Sequence, residues 1–207
     1  MIVQQQQSLF TPTWSWRHLR GPTSVRFSPC PQHGERCECP LAAYRYELRR
    51  TWDASKPPLL AICCNPSTAD SLRDDATCRL LYSRAERAGC GGLRLLNVFA
   101  LRSTDPRALK EAVEQGRSPI GPENDALIRS ALEEHRDGRL LLAWGGDASL
   151  LGRGAAVAEL ALRIHGRPEC LGVTASGEPR HPLRIPHAME PCLLTHARDL
   201  QRAESTR

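Results

Sequence analysis

Three short stretches of this chain are too apolar to lie on a surface: Pro58-Leu-Leu-Ala-Ile-Cys-Cys64, Leu93 to Phe99, and Arg139-Leu-Leu-Leu-Ala-Trp-Gly145. Each is too short for a typical helix, and its apolar residues fall at odd and even positions alike. That pattern belongs to a strand covered on both faces. Helical signals separate them. Asp74 or Asp75 can cap a helix running to about Ala88, with Leu80, Leu81, Ala85 and Ala88 as its apolar stripe and Gly89 as its stop. Thr104-Asp105-Pro106 places proline at a first helical position, and Gly121-Pro-Glu-Asn-Asp125 opens a further helix to about His135. Ala148 to Ile164 keeps helical periodicity despite Gly152 and Gly154, and Glu169 to Thr174 reads as a fourth short strand. Ahead of these, Tyr44, Tyr46 and Leu48 alternate with Arg45, Glu47 and Arg49, as in a half-buried edge strand.

Alternating strands and helices imply an α/β fold. The expected architecture is a three-layer α/β/α sandwich with a mainly parallel four-stranded central sheet plus an N-terminal edge strand. Residues 41–188 would form the single domain. Residues 1–40, rich in glutamine and proline, are expected as a poorly structured extension, and 189–207 as a C-terminal helix or tail.

At 207 residues, 41% hydrophobic and 25% charged, the composition is that of an ordinary globular protein. No apolar run approaches the ~20 residues needed to cross a bilayer. The first residues lack a secretory signal, so a cytoplasmic location is expected. Formal charge is +5, and of 28 basic residues only Lys56 and Lys110 are lysines. Arginine suits phosphate and base contacts, yet these are spread through the whole chain, as a compositional bias would also spread them. The nine cysteines do not form a paired framework and read as reduced thiols. Cys30, His33, Cys37 and Cys39 are dense enough to supply zinc ligands, but their spacing matches no standard finger. An unligated loop is the expectation, with no metal and no cofactor.

Parallel sheets bind ligands outside the carboxyl ends of their strands. Here those ends carry Asn65-Pro-Ser-Thr-Ala-Asp70, Asn97-Val-Phe99, Trp144-Gly-Gly-Asp147 and Thr174 to His181-Pro-Leu183. Asn65 can hold a water or read a base edge, and Ser67 and Thr68 can contact phosphate; the same residue types also build turns. Asn97 offers an amide to a base, and Phe99 either a stacking face or a core side chain. Trp144 continues an apolar run and reads as core. His181 can donate to a carbonyl that gains charge, or act as a general acid. Asp70, Asp74, Asp75 and Asp105 could together hold magnesium, although Asp74 or Asp75 and Asp105 also stand where helix caps belong.

Residues 44–186 resemble a bacterial and phage family catalogued as domain of unknown function 1643. The carrying residues include Tyr44-Arg-Tyr46, Trp52-Asp53, Asn65-Pro-Ser-Thr-Ala-Asp70, Asn97-Val-Phe99, Gly121-Pro-Glu-Asn-Asp125, Ala143-Trp-Gly145 and Pro179-Arg-His-Pro-Leu183. The same order is more distantly similar to the uracil-DNA glycosylase superfamily, whose first motif resembles Asn65-Pro66 and whose final loop resembles His181-Pro182-Leu183. That resemblance implies a glycosylase-like sheet and N-glycosidic hydrolysis in DNA. Asn65 and His181 would be catalytic, the first positioning water and the second stabilising the departing base. Phe99 would stack, Asn97 read an edge and Leu183 wedge into a duplex, with Pro66, Ser67, Thr68 and Asp70 completing the substrate site. Cys63 stands where that superfamily's first motif usually has glycine, and no serine follows His181-Pro182. Two alternatives stay open: a non-catalytic module for a nucleotide or modified base, and a magnesium-dependent phosphate-processing enzyme.

Overall fold

A computed structural model of the chain describes residues 23–28, 43–105 and 107–195. They build one mixed seven-stranded sheet: β1 (Thr23–Phe27), β2 (Arg45–Thr51), β3 (Pro58–Cys63), β4 (Gly92–Asn97), β5 (Arg139–Leu142), β6 (Glu169–Cys170) and β7 (Cys192–Leu193). The spatial order is β1-β2-β4-β3-β5-β6-β7. The β4–β3, β3–β5 and β5–β6 pairs are parallel, and the β1–β2, β2–β4 and β6–β7 pairs antiparallel.

Helices cover both faces, as side chains that alternate along the central strands require. Leu60, Ile62, Leu140 and Leu142 share one core with α2 (Arg107–Glu114), α3 (Asn124–Glu134) and α4 (Arg153–Ile164). Leu59, Ala61, Cys63 and Leu141 point the other way, onto Cys78, Leu81 and Ala85 of α1 (Ala76–Arg87). The Asp75 carboxylate caps α1, accepting from the Cys78 amide at 2.8 Å. Of the two candidate caps, Asp75 takes the role because Asp74 pairs with Arg50 at 2.9 Å.

Several expectations are corrected. β2 has a neighbour on each side, so it is not an edge strand. Its outer partner, β1, lies inside residues 1–40, where no regular structure is expected; five residues with only two apolar side chains, Val25 and Phe27, leave too weak a trace. Beyond the four expected parallel strands and the one expected N-terminal strand, the sheet carries two more, β1 and β7, each paired antiparallel with its neighbour. Cys192–Leu193 is a strand rather than part of a helix, stitched to β6 and followed by the buried Leu194, whose amide donates to the Pro168 carbonyl at 2.8 Å. The helix expected over 148–164 is broken. A 3-10 segment, Gly146–Gly152, precedes α4, and Leu151 and Gly152 both adopt positive φ (58° and 63°). Glycine tolerates that conformation freely and leucine does not. The Cys30, His33, Cys37 and Cys39 group lies outside the described residues.

One ion-pair network ties the antiparallel side of the sheet to α3. The buried Arg94 guanidinium on β4 donates from Nε to Glu47 of β2 at 2.5 Å and from Nη1 to Glu134 of α3 at 2.8 Å. Removing one partner of a buried pair strands the other charge away from water. Arg49 still pairs with Glu47 at 2.8 Å, so Arg94→Ala should cost about 1–3 kcal/mol in urea unfolding, and Glu47→Leu added to Arg94→Met should recover most of the loss.

Candidate active site

After β3 the chain turns to α1 on one face, whereas after β5 it turns to α4 on the other. The neighbouring carboxyl ends of β3 and β5 therefore diverge and leave a crevice, the topological switch point of an open α/β sheet. A cleft of about 550 Å³ occupies this place. Asn65 lies on the β3 side, Trp144 to Asp147 on the β5 side, and Thr174, Arg180, His181, Leu183 and Arg184 form a third wall after β6. The volume suits a small organic ligand.

Asn65 is oriented by its neighbours. Its Nδ2 donates to the carbonyl of Ser103 at 2.9 Å and of Pro66 at 3.2 Å. Two carbonyl acceptors fix which end of the amide is nitrogen. Among the described residues no side chain or amide donates to the Oδ1, which leaves it for a ligand or a water. A carboxylate here would face two carbonyl oxygens, a repulsion the amide avoids. The loop beyond is held from β2: the buried Arg45 donates to the Ala69 carbonyl at 2.6 Å, and Arg50 to the Asp70 carbonyl at 2.5 Å. Asp70 closes its own turn, accepting from the amides of Leu72 and Arg73 at 2.8 and 2.7 Å.

The second wall depends on a glycine. Gly145 has φ 82°, and a Cβ there would lie 3.2 Å from the Cβ of His181. Its amide donates to the Pro179 carbonyl at 2.7 Å, so the β5 end and the third wall touch directly. Trp144 is buried in the core, as its sequence context suggests, while its Nε1 donates to Glu178 at 2.5 Å. Glu178 is buried with no ion-pair partner among the described residues, and burial raises its carboxyl above the usual range. A Cβ at Gly154 would overlap that carboxylate, so the Glu178 side chain lies against the start of α4 where glycine leaves room for it. Glu178 thereby clamps the 174–181 loop between Trp144 and the start of α4.

His181 caps a short 3-10 turn, Pro182–Arg184. Its Nδ1 accepts from the Leu183 amide at 3.4 Å, which leaves the proton of a neutral ring on Nε2. Burial, with the positive charge of Arg184, lowers its pKa below the ordinary 6.5, against smaller opposing effects of Asp75 and Asp147. A neutral imidazole that donates is suited to stabilising negative charge as it develops.

The structure brings together only part of the residue set drawn from sequence. Asn65, His181 and Leu183 line one cleft, with Leu183 51% exposed at its mouth. Pro66 is buried, Ser67 and Asp70 half-buried and Thr68 exposed, and none of the four lines the cleft. Asn97 and Phe99 are also apart from it. Phe99 is fully buried in the core and presents no face for stacking, and Asn97 is buried, its backbone carbonyl accepting from Asn124 at 2.9 Å. The cause is strand order: β4 lies beyond β3 from the crevice. The four aspartates considered for magnesium are already engaged, Asp70 in its turn, Asp74 with Arg50, Asp75 as helix cap and Asp105 with Arg107. No cluster of three metal-ligating side chains occurs among the described residues. Sequence reasoning missed Asp147, Glu178, Arg180 and Arg184. Asp147 was legible as the polar end of Trp-Gly-Gly-Asp, whereas nothing local marks Glu178 as buried.

Residues 45–183 match a family model described as Protein of unknown function (DUF1643), and the chain belongs to that family. Comparison with curated proteins and with solved structures gave no match.

Because the folded pKa of His181 lies below 6.5, the unfolded chain takes up the proton first as pH falls. The stability contributed by its neutral form is complete above about pH 6.5 and is lost as pH drops toward the folded value. Between pH 7.5 and 5.5 the wild-type melting temperature should fall more steeply than that of His181→Gln. Parallel melting curves for the two proteins would exclude this environment for His181.

Proposed function

We propose that the cleft binds a nucleobase or nucleotide and hydrolyses an N-glycosidic bond, with a base in DNA as the substrate class. The observation that carries this reading is that Asn65 and His181 line the same crevice at the switch point. Their motif context, Asn-Pro after the first central strand and His-Pro in the last loop, supports it through the glycosylase resemblance. Breaking the bond leaves positive charge on the sugar and negative charge on the base. Asn65 Oδ1 orients the attacking water, and the carboxylate of Asp147 on the same cleft takes the water's proton. His181 Nε2 donates to the base as it departs with the bonding electron pair. Exposed Arg180 and Arg184 suit the phosphates of the strand. Catalysis in this geometry needs the base out of its stack. Phe99 and Trp144 are both buried in the core, so neither offers a free face on which the base could stack.

The test is a panel of single- and double-stranded DNA carrying uracil or damaged bases, scored for abasic sites. Asn65→Ala and His181→Ala should each lower cleavage by about 10²–10³-fold while leaving binding largely intact. Arg180→Ala with Arg184→Ala should weaken binding and flatten its salt dependence by about two phosphate contacts. Binding without cleavage across the panel would replace the hydrolase with a non-catalytic binding module. Activity that chelator abolishes and magnesium restores would favour phosphate processing instead.

A further inference from the structure

Cys170 of β6 and Cys192 of β7 are direct partners in the antiparallel ladder, and their Sγ atoms lie 3.9 Å apart. Antiparallel partners have Cα atoms ~4.5–5.5 Å apart, within the range a disulfide spans. The two thiols differ in access: Cys170 is 3% exposed, and Cys192 is exposed at the edge of the sheet. Cys63, Cys64, Cys78 and Cys90 are all buried, and burial raises each of their pKa values, that of Cys64 to about 12. Among the described residues, Cys192 is thus the thiol open to solvent, and Cys170 already stands in register as its resolving partner.

We propose that this cross-strand dithiol is an oxidative modification site, converted by hydrogen peroxide to a Cys170–Cys192 disulfide. The Cys192 thiolate attacks one peroxide oxygen, the O–O bond breaks, and a protonated hydroxide leaves as water, giving a sulfenic acid. The Cys170 sulfur then attacks the Cys192 sulfur. The S–O bond breaks and the hydroxyl leaves as a second water with the Cys170 proton. Two thiols lose two electrons and one peroxide gains them.

The position gives the bond a consequence. The two cysteines are separated by 22 positions, and the chain between them carries the whole third wall of the cleft, Thr174, Arg180, His181, Leu183 and Arg184 among it. Oxidation closes that segment into a ring, anchored at both ends on the sheet. A cross-link of this span restricts the unfolded chain and so raises the melting temperature, by on the order of 5–10 °C. The inference stands on strand register alone and does not depend on what the cleft binds.

The experiment treats the full chain with stoichiometric hydrogen peroxide and maps its non-reduced peptides by mass. Expected are a linked peptide pair containing Cys170 and Cys192, a raised melting temperature, and reversal of both by dithiothreitol. Cys192→Ser, at an exposed position, should fold normally and show neither change. Cys170→Ser should leave Cys192 as a free sulfenic, sulfinic or sulfonic acid. Over-oxidation of Cys192 in the wild-type chain without linkage to Cys170, or its linkage to any other cysteine, would overturn the proposal. So would a thermal shift that persists in Cys192→Ser.

Discussion

Everything about the cleft follows from the way the chain leaves two adjacent parallel strands. β3 and β5 are neighbours, yet the segments that follow them turn to opposite faces of the sheet, because α1 covers one face and α4 the other. Backbone cannot fill the gap between diverging connections, so a crevice opens at their carboxyl ends. The apolar sequences of β3 and β5 keep both strands in the interior and thereby fix where the crevice lies. Polar residues that follow each apolar run, Asn65 and Asp147, are carried to its rim by the same geometry.

The third wall is held by contacts of a different kind. Gly145 brings the β5 end against His181, and the buried carboxylate of Glu178 joins the 174–181 loop to Trp144 and to the glycine at the start of α4. An unpaired buried carboxylate destabilises the fold unless its hydrogen bonds compensate. The indole N–H supplies one such bond, and the residual burial penalty raises the Glu178 pKa. On the β3 side, Arg45 and Arg50 reach from β2 to carbonyls of the 65–70 loop. The antiparallel strands therefore serve the site as well as the core, through two arginines that fasten its first wall.

What the sequence made legible was set by local physics. Runs such as Leu59 to Cys64 and Leu140 to Trp144 announce buried strands, and Asp75, Pro106 and Gly89 announce helix ends, because hydrophobic periodicity and capping are short-range. Asn65 and His181 could be placed on one rim because each directly follows a strand or its loop. Phe99 follows a strand too, but strand order, a long-range property, put its ring in the core. β1 and β7 were missed because strands of five and two residues owe their existence to pairing with β2 and β6. Glu178 was invisible because burial of a carboxylate depends on Gly154 and Trp144, both distant in sequence.

In the reading proposed above, the ligand enters the switch-point cleft and no other concavity. A competing site exists in the groove of about 350 Å³ between α3 and α4, where Arg129, Arg153 and Arg163 outnumber the carboxylates of Asp125 and Glu159. A crystal structure of the full chain with a bound deoxynucleoside 5′-monophosphate decides between them. Density is expected between Asn65 and His181, with the phosphate toward Arg180 and Arg184. Density confined to the α3–α4 groove, with the crevice between β3 and β5 empty, would contradict that reading.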